Sequence, residues 1–396
     1  MVTDRGDRSW SWSAQSPTRI RTDCRSTYGC HREKIGSAPA EDGRTRLTKT
    51  QFVRVEGTPY ERGARIGEAF AEATSRSVAF NRRYLAAHGL DGSTLEAILA
   101  PYLAASTAAM PHLVAQIRGM ADGADQPFLD LFFANAFEEV YGVVELGTAS
   151  LVPLERCTDV VLRSNGSTLL GHNEQWYAGD DGTVGLVLDV SDDAPAVLAP
   201  MVAGTLPLVG LNESGAAFGT MSLSATDERV GIPRALVARE LLDARDRDDA
   251  YARASHAGRA GGYSYLCAFP QGDACVIETT ATTSARLDIT EHTNHALDPT
   301  VAAAACDPSG GSRSRLARAR VLAAAADPTV EGMAGLLADH GASGQDICVH
   351  PDPAEGDEGA TILFAMICEP DTRSMWLAAG HPCTAPLQRV GFDDLT

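Results

Sequence analysis

The sequence has no hydrophobic run that approaches the roughly 18 residues a helix needs to cross a bilayer. Its first 24 residues also lack the apolar core of a secretory signal peptide. Together these absences predict a cytoplasmic protein that makes no contact with a membrane.

Positive charge is scarce. The chain has 33 Lys and Arg against 52 Asp and Glu, a net charge of −19. Residues 1–50 hold ten basic and six acidic side chains (+4), which leaves −23 for residues 51–396. Because nucleic-acid phosphates require a basic surface, this acidic body predicts that the protein does not bind nucleic acid.

Motifs for metals and nucleotides are missing as well. The ten histidines form no HExxH pair, and the nine cysteines form no CxxC pair. No GxGxxG or Walker sequence opens a helix after a strand. We therefore expect no metal and no bound cofactor, with the cysteines reduced. Cys267, Cys275 and Cys368 lie in apolar strand patterns and are predicted to be buried.

The composition and the hydrophobic periodicity of the chain change at two points, which divide it into three regions. Residues 1–50 are poor in aliphatic side chains and rich in Arg, Ser, Thr and Gly, which is typical of a disordered or over-long N-terminal extension. Apolar residues then recur at helical spacing up to about residue 144. From Cys157 onward, strand hairpins alternate with helix pairs, beginning with two strands around Asn165-Gly166. This order predicts an α+β layered sandwich.

Cys157 opens the first of these strands, in "LERCTDVVLRSNG". A free thiol has a pKa of about 8.5, so a nucleophilic cysteine needs a base. That base is commonly a histidine brought close in space. If the preceding peptide bond were cut, the α-amine of Cys157, with a pKa of about 7.7–8.0, could serve instead. An ordinary half-buried strand cysteine is the third interpretation, and these residues alone do not choose among the three.

The segment "CTDVVLRSNGSTLLGHNEQW" resembles the start of the catalytic subunit in the isopenicillin N acyltransferase-like family (acyl-coenzyme A:6-aminopenicillanic acid acyltransferases) of N-terminal-nucleophile (Ntn) cysteine hydrolases. "GLNESGAAFG", "HTNHAL", "SRSRLARAR" and "TILFAMICEPDTRSMWLAAGHPC" resemble later family segments in the same order, and the ordered set spans residues 57–383. The resemblance implies an Ntn-hydrolase four-layer αββα sandwich with an N-terminal helical region.

The resemblance also implies a zymogen that cleaves itself between Arg156 and Cys157. The extension and the helical region (51–156) would form an α-subunit, and residues 157–396 the catalytic β-subunit. The two would fold together as one domain, an αβ heterodimer made from one chain. Cys157 would form an acyl-enzyme from a small-molecule amide or an acyl-CoA thioester and pass the acyl group to water or an amine. Coenzyme A would then be a co-substrate, not a cofactor.

When the motifs of the family are matched to this sequence, the resemblance implies that Asn294 in "HTNH" is the candidate oxyanion donor and that Arg315 is the candidate active-site arginine. Arg313 and Arg318 compete with Arg315 for that assignment. Gln175 stands where the family has an aspartate that would hold the α-amine, which leaves the processing rate open. Glu174 is expected to point elsewhere, because neighbouring strand residues face opposite sides. The remaining candidates for oxyanion or substrate contacts are Thr158, Asn173, Ser222 and His295.

Two other functions stay open. A conventional thiol hydrolase would use Cys157 with His295 and would not cleave itself. A non-catalytic binding protein that retains the fold is favoured by the departures from the family pattern. These are Gln175, and Thr220-Met221-Ser222 where the family commonly carries an asparagine.

Overall fold

The computed structural model describes six segments of the chain, which are residues 50–90, 92–140, 157–164, 166–306, 311–341 and 345–395. Arg156 and nearly all of the predicted extension lie outside these segments.

The N-terminal region is helical, as predicted, and begins with one strand. Its elements are β1 (Gln51–Val55), α1 (Pro59–Ala69), α2 (Ala71–Ala87), α3 (Gly92–Ala109), α4 (Pro111–Gly123) and α5 (Phe128–Ala134). Helix α1 starts with a capping box, in which Thr58 Oγ1 accepts from the Glu61 backbone N–H and Glu61 accepts from the Thr58 N–H. Helices α1 and α4 pack so closely that a Cβ at Gly63 or Gly119 would lie about 2 Å from a carbonyl oxygen of the other helix. Only glycine fits at these contacts.

The second region is rich in strands. Its strands are β2 (Thr158–Ser164), β3 (Ser167–Tyr177), β4 (Val184–Asp189), β5 (Val197–Val202), β6 (Gly210–Asn212), β7 (Ala217–Leu223), β8 (Gly262–Ala268), β9 (Ala274–Thr279), β10 (Ser284–Leu287), β11 (Glu291–His292), β12 (Ala360–Glu369), β13 (Ser374–Ala379) and β14 (Gln388–Gly391). Its helices are α6 (Arg234–Leu241), α7 (Arg247–Ala254), α8 (Pro299–Ala302), α9 (Gly311–Ala325) and α10 (Val330–Leu337).

These strands form two sheets. The larger has the order β1-β4-β5-β6-β7-β8-β9-β10, and the smaller has the order β11-β2-β3-β12-β13-β14. Strand β1 pairs in parallel with β4, and the other recorded pairings are antiparallel. The hairpin predicted around Asn165-Gly166 is present, with Ser164 opposite Ser167, and Gly166 takes the positive φ (92°) that such a turn favours.

Four layers follow from the way these elements pack. Val161, Leu198 and Leu266 belong to an apolar cluster between the two sheets. A second cluster joins the outer face of the larger sheet to α6 and α7, and a third joins the outer face of the smaller sheet to α9 and α10. The helical region shares a further core with β4, β5 and α6. The predicted α+β sandwich is therefore confirmed as an αββα arrangement.

Cys267, Cys275 and Cys368 are buried, as predicted. Within the described segments, no helix is both long and apolar enough to cross a bilayer.

Candidate active site

Cys157 immediately precedes β2 and is buried, at 5% exposure, in the layer between the two sheets. Its Sγ lies 3.9 Å from Glu174 Oε1 and 3.9 Å from the Gln175 carbonyl oxygen. Burial, and then the negative charge of Glu174, raise the pKa of the Cys157 thiol well above its usual range. This environment disfavours the thiolate, so nucleophilic attack requires a base.

Arg315 on α9 reaches the backbone around this cysteine. Its Nη1 donates to the Cys157 carbonyl oxygen at 2.9 Å and to Thr158 Oγ1 at 3.1 Å. Its Nη2 donates to Asn294 Oδ1 at 3.0 Å. By contrast, Arg313 is exposed, and Arg318 forms an ion pair with Asp339 at 2.7 Å. Of the three candidate arginines, Arg315 is thus the one whose described bonds reach Cys157 and Asn294.

Asn294 is buried in the loop after β11, and the pairing of β11 with β2 places this loop beside the start of β2. Asn294 Nδ2 donates to the Ser222 carbonyl oxygen at 3.2 Å. A carboxamide has two N–H donors. This bond uses one of them, while Arg315 orients the amide through its oxygen.

Ser222 and His295 have other partners. Ser222 Oγ donates to Glu138 Oε1 at 3.0 Å, and His295 Nδ1 lies 2.7 Å from Ser312 Oγ. In the part of the chain that the structure describes, the hydrogen-bond partners of Cys157 Sγ include no histidine. The arrangement therefore gives no support to a Cys157–His295 dyad.

The two candidate amides on β3 have different environments. Asn173 Nδ2 donates to the carbonyl oxygens of Leu337 and Ile347, each at 2.9 Å, so it ties the end of α10 and a later loop to the sheet. Gln175 is fully buried, and among the described residues neither its Nε2 nor its Oε1 has a hydrogen-bond partner. A buried amide without partners is unfavourable by about 1–3 kcal/mol.

The expectation that Glu174 faces away from the site is wrong. Adjacent residues on β3 do alternate, but the face that carries Glu174 is the one that meets the sulfur. Glu174 therefore places a carboxylate beside the sulfur of Cys157.

His172 and Asp159 complete a buried cluster that the sequence analysis did not identify. His172 Nδ1 pairs with Asp159 Oδ1, and its Nε2 lies 3.1 Å from Glu174 Oε2. Burial alone would lower the pKa of His172, but the two carboxylates outweigh burial and raise it to about 10. The resulting imidazolium holds Glu174 in place beside the sulfur. The sequence contained a signal for this pair, because the predicted hairpin places Asp159 opposite His172.

A pocket of roughly 790 Å³, including its open mouth, adjoins the cysteine. Much of its wall is apolar, and this part is formed by Phe137, Trp176, Met201, Leu206, Val209 and Phe364.

The polar part of the pocket wall surrounds Arg234. This buried arginine forms ion pairs with Glu138 at 3.2 Å, Glu139 at 2.9 Å and Glu228 at 2.8 Å. Glu138 also accepts from Tyr263 Oη at 2.8 Å, and burial raises the pKa of its carboxyl group. Of the three, Glu138 and Glu139 line the pocket, so two carboxyl groups beside one guanidinium give this wall an acidic character.

The sequence model of the family described as "Acyl-coenzyme A:6-aminopenicillanic acid acyl-transferase" matches residues 162–383, which is more than half of the chain. The match contains Asn294 and Arg315 and begins shortly after Cys157. No curated protein sequence matches.

Several solved structures are similar. Penicillin V acylase from Agrobacterium tumefaciens is 13% identical with a TM-score of 0.44, over 61% of this chain and 88% of that one. A variant of conjugated bile acid hydrolase from Clostridium perfringens is 12% identical with a TM-score of 0.42, over 60% and 97%. A second variant of that hydrolase has a TM-score of 0.41 at the same identity and coverage.

Proposed function

Because the chain belongs to the acyl-coenzyme A:6-aminopenicillanic acid acyl-transferase family, with the Ntn-hydrolase sandwich predicted for it, we propose that it is a self-processing cysteine amidohydrolase or acyltransferase. The observation that carries this proposal is the convergence of Cys157, Asn294 and Arg315. Asn294 and Arg315 are more than 130 positions from Cys157 in the sequence, yet Arg315 joins all three residues just before the first residue of β2.

Self-cleavage would begin with addition of Cys157 Sγ to the carbonyl carbon of residue 156. The C–N bond breaks as the acyl group moves from nitrogen to sulfur, and the nitrogen takes up the thiol proton. Water then hydrolyses the thioester, which releases residue 156 as a carboxylate and regenerates the Cys157 thiol. The products are an α-subunit of residues 1–156 and a β-subunit of residues 157–396, held together as a heterodimer.

In turnover, the free α-amine of Cys157 accepts the thiol proton as the sulfur attacks an amide or thioester carbonyl. The leaving amine or thiol takes that proton, and water or an acceptor amine resolves the acyl-enzyme. In this proposal the remaining N–H of Asn294 stabilises the developing oxyanion, which contributes about 3 kcal/mol in comparable sites. Arg315 acts on the nucleophile by fixing its backbone and the Asn294 amide. These steps need no bound cofactor, because the cysteine supplies both nucleophile and base.

The lining of the pocket supports the proposal of a small-molecule substrate that has one apolar end and one polar end. Its apolar wall suits an acyl chain, and the acidic wall around Glu138 suits a substrate or acceptor that carries an amino group. We therefore propose that amine-bearing compounds are preferred over uncharged ones of the same size, and that acyl-CoA thioesters are alternative acyl donors.

Intact mass spectrometry of the purified protein tests the central claim. We expect two fragments that meet between residues 156 and 157, and a covalent acyl adduct on Cys157 after exposure to reactive esters. Cys157→Ala should remain one chain and form no adduct, whereas the control Cys306→Ser should behave as the wild type. An active, uncut chain would instead identify a conventional thiol hydrolase. An uncut chain that forms no adduct would identify a binding protein.

A further inference from the structure

A second group of reactive side chains lies outside the candidate active site. It consists of His340, Cys348, His350 and Cys383, each of which offers one ligand atom, and these four atoms lie within 4.8 Å of one another. His340 follows α10, Cys348 and His350 precede β12, and Cys383 follows β13. We call these four residues the His–Cys cluster.

The distances within the His–Cys cluster match those around a tetrahedral zinc ion. Cys348 Sγ lies 3.6 Å from Cys383 Sγ, and His350 Nε2 lies 3.2 Å from Cys383 Sγ and 3.9 Å from Cys348 Sγ. Zinc bonds of about 2.3 Å to sulfur and about 2.0–2.1 Å to nitrogen place neighbouring sulfurs about 3.8 Å apart, and nitrogen and sulfur about 3.5 Å apart. We propose that the His–Cys cluster is a structural zinc site.

The ligand set favours zinc over the other chemistry that two close cysteines allow. A disulfide requires the sulfurs to approach to about 2.05 Å, and it gives no reason for two imidazoles to converge on the same point. Two thiolates and two imidazoles, with no ligand position left for water, form a closed site of the structural type.

Neighbouring residues hold a ligand in position, as the second shell of a metal site does. The ring of His381 stacks on that of His350, with centroids 4.0 Å apart and planes 15° apart. His381 Nε2 is in turn 2.8 Å from Thr361 Oγ1 on β12. The orientation of the His350 imidazole is thus set by the smaller sheet.

The site would join two connections beside the smaller sheet, namely the α10–β12 connection, which carries His340, Cys348 and His350, and the β13–β14 connection, which carries Cys383. The loop that carries Cys348 is tied to β3 by the bond from Asn173 to the Ile347 carbonyl, and Asn173 is opposite Thr158 in the hairpin. Zinc would therefore stabilise the loops that support the strand beginning after Cys157. This role is structural and is independent of whether the chain cleaves itself.

The test is elemental analysis of protein purified without chelator and reconstituted with Zn²⁺ in the presence of a thiol reductant. We expect about one zinc per chain, and Co²⁺ in its place should give the visible absorption of a tetrahedral thiolate site. Cys383→Ser and His350→Ala should lose the bound metal. The control Cys306→Ser, outside the His–Cys cluster, should keep it.

His381→Ala provides a milder variant that retains all four ligands, and we expect a zinc dissociation constant about 10–100-fold higher. Chelation should lower the thermal midpoint of the wild type but not that of folded Cys383→Ser. Absence of zinc and of the Co²⁺ spectrum in folded wild-type protein would overturn the proposal. A Cys348–Cys383 disulfide that persists under reduction would do the same.

Discussion

Replacing Glu174 by glutamine should make the Cys157 thiol more acidic. Glu174 Oε1 lies 3.9 Å from Cys157 Sγ, and after burial its negative charge is the largest cause of the raised thiol pKa. Glutamine has the same shape and can still accept a hydrogen bond from the thiol. The substitution therefore removes the charge while keeping the shape, and it also removes one of the two carboxylates that pair with His172.

The expected size of the effect follows from Coulomb's law. Two unit charges about 4 Å apart interact by about 4 kcal/mol at an effective dielectric constant of about 20. At about 1.36 kcal/mol for each pH unit, this corresponds to a fall in the thiol pKa of about three. The Glu174 side chain is 16% exposed, and the His172 imidazolium offsets part of its charge. We therefore expect the thiol pKa to fall by about 1–2.

The assay is the rate of alkylation of Cys157 by iodoacetamide as a function of pH, read by mass spectrometry on the peptide that contains it. Wild type and variant are compared in the same cleavage state, as shown by intact mass. In Glu174→Gln the midpoint of the pH profile should move to lower pH. Glu96→Gln, which removes an exposed charge on α3, is the matched control. An unchanged midpoint in Glu174→Gln would refute the claim that this carboxylate acts on the sulfur.

Three further predictions concern other buried side chains. Asn294→Ala should lower kcat by roughly 100–1000-fold with the fold retained, whereas an unchanged rate would remove Asn294 from the oxyanion site. Gln175→Asp should speed self-cleavage, because an aspartate would supply a negative charge where the buried amide has no partner among the described residues. A time course on denaturing gels measures the rate, and equal or slower cleavage would contradict this prediction. Burial raises the pKa of Asp180 to about 6, so the folded state binds a proton more tightly than the unfolded state does. The wild type should therefore lose up to about 3 kcal/mol of stability as the pH rises from about 4 to about 6. Asp180→Asn should not show this loss in urea unfolding, and the exposed Asp181→Asn should match the wild type.

The sequence by itself determined the local elements and the family. Strand alternation and the Asn165-Gly166 turn predicted the hairpin that carries Cys157, because these signals depend only on near neighbours. Apolar strand patterns likewise predicted the burial of Cys267, Cys275 and Cys368. Self-cleavage and the substrate stay predictions.

The tertiary structure decided which candidates meet. A basic helix such as α9 does not reveal which arginine faces inward, and only its packing on the smaller sheet placed Arg315 on the Cys157 carbonyl oxygen. Strand alternation predicted that Glu174 and Gln175 lie on opposite faces of β3. It did not show which of the two faces contacts Cys157 Sγ.

Other assignments depended on partners that are distant in sequence. Ser222 bonds to Glu138, and Asn173 holds loop carbonyls, although both had been candidates for contacts with the reacting groups. The His–Cys cluster combines positions from 340 to 383 with no recognisable metal-binding spacing. Its ligands converge because the α10–β12 connection and the β13–β14 connection lie next to each other in the fold. That proximity is a property of the folded chain and not of any local segment.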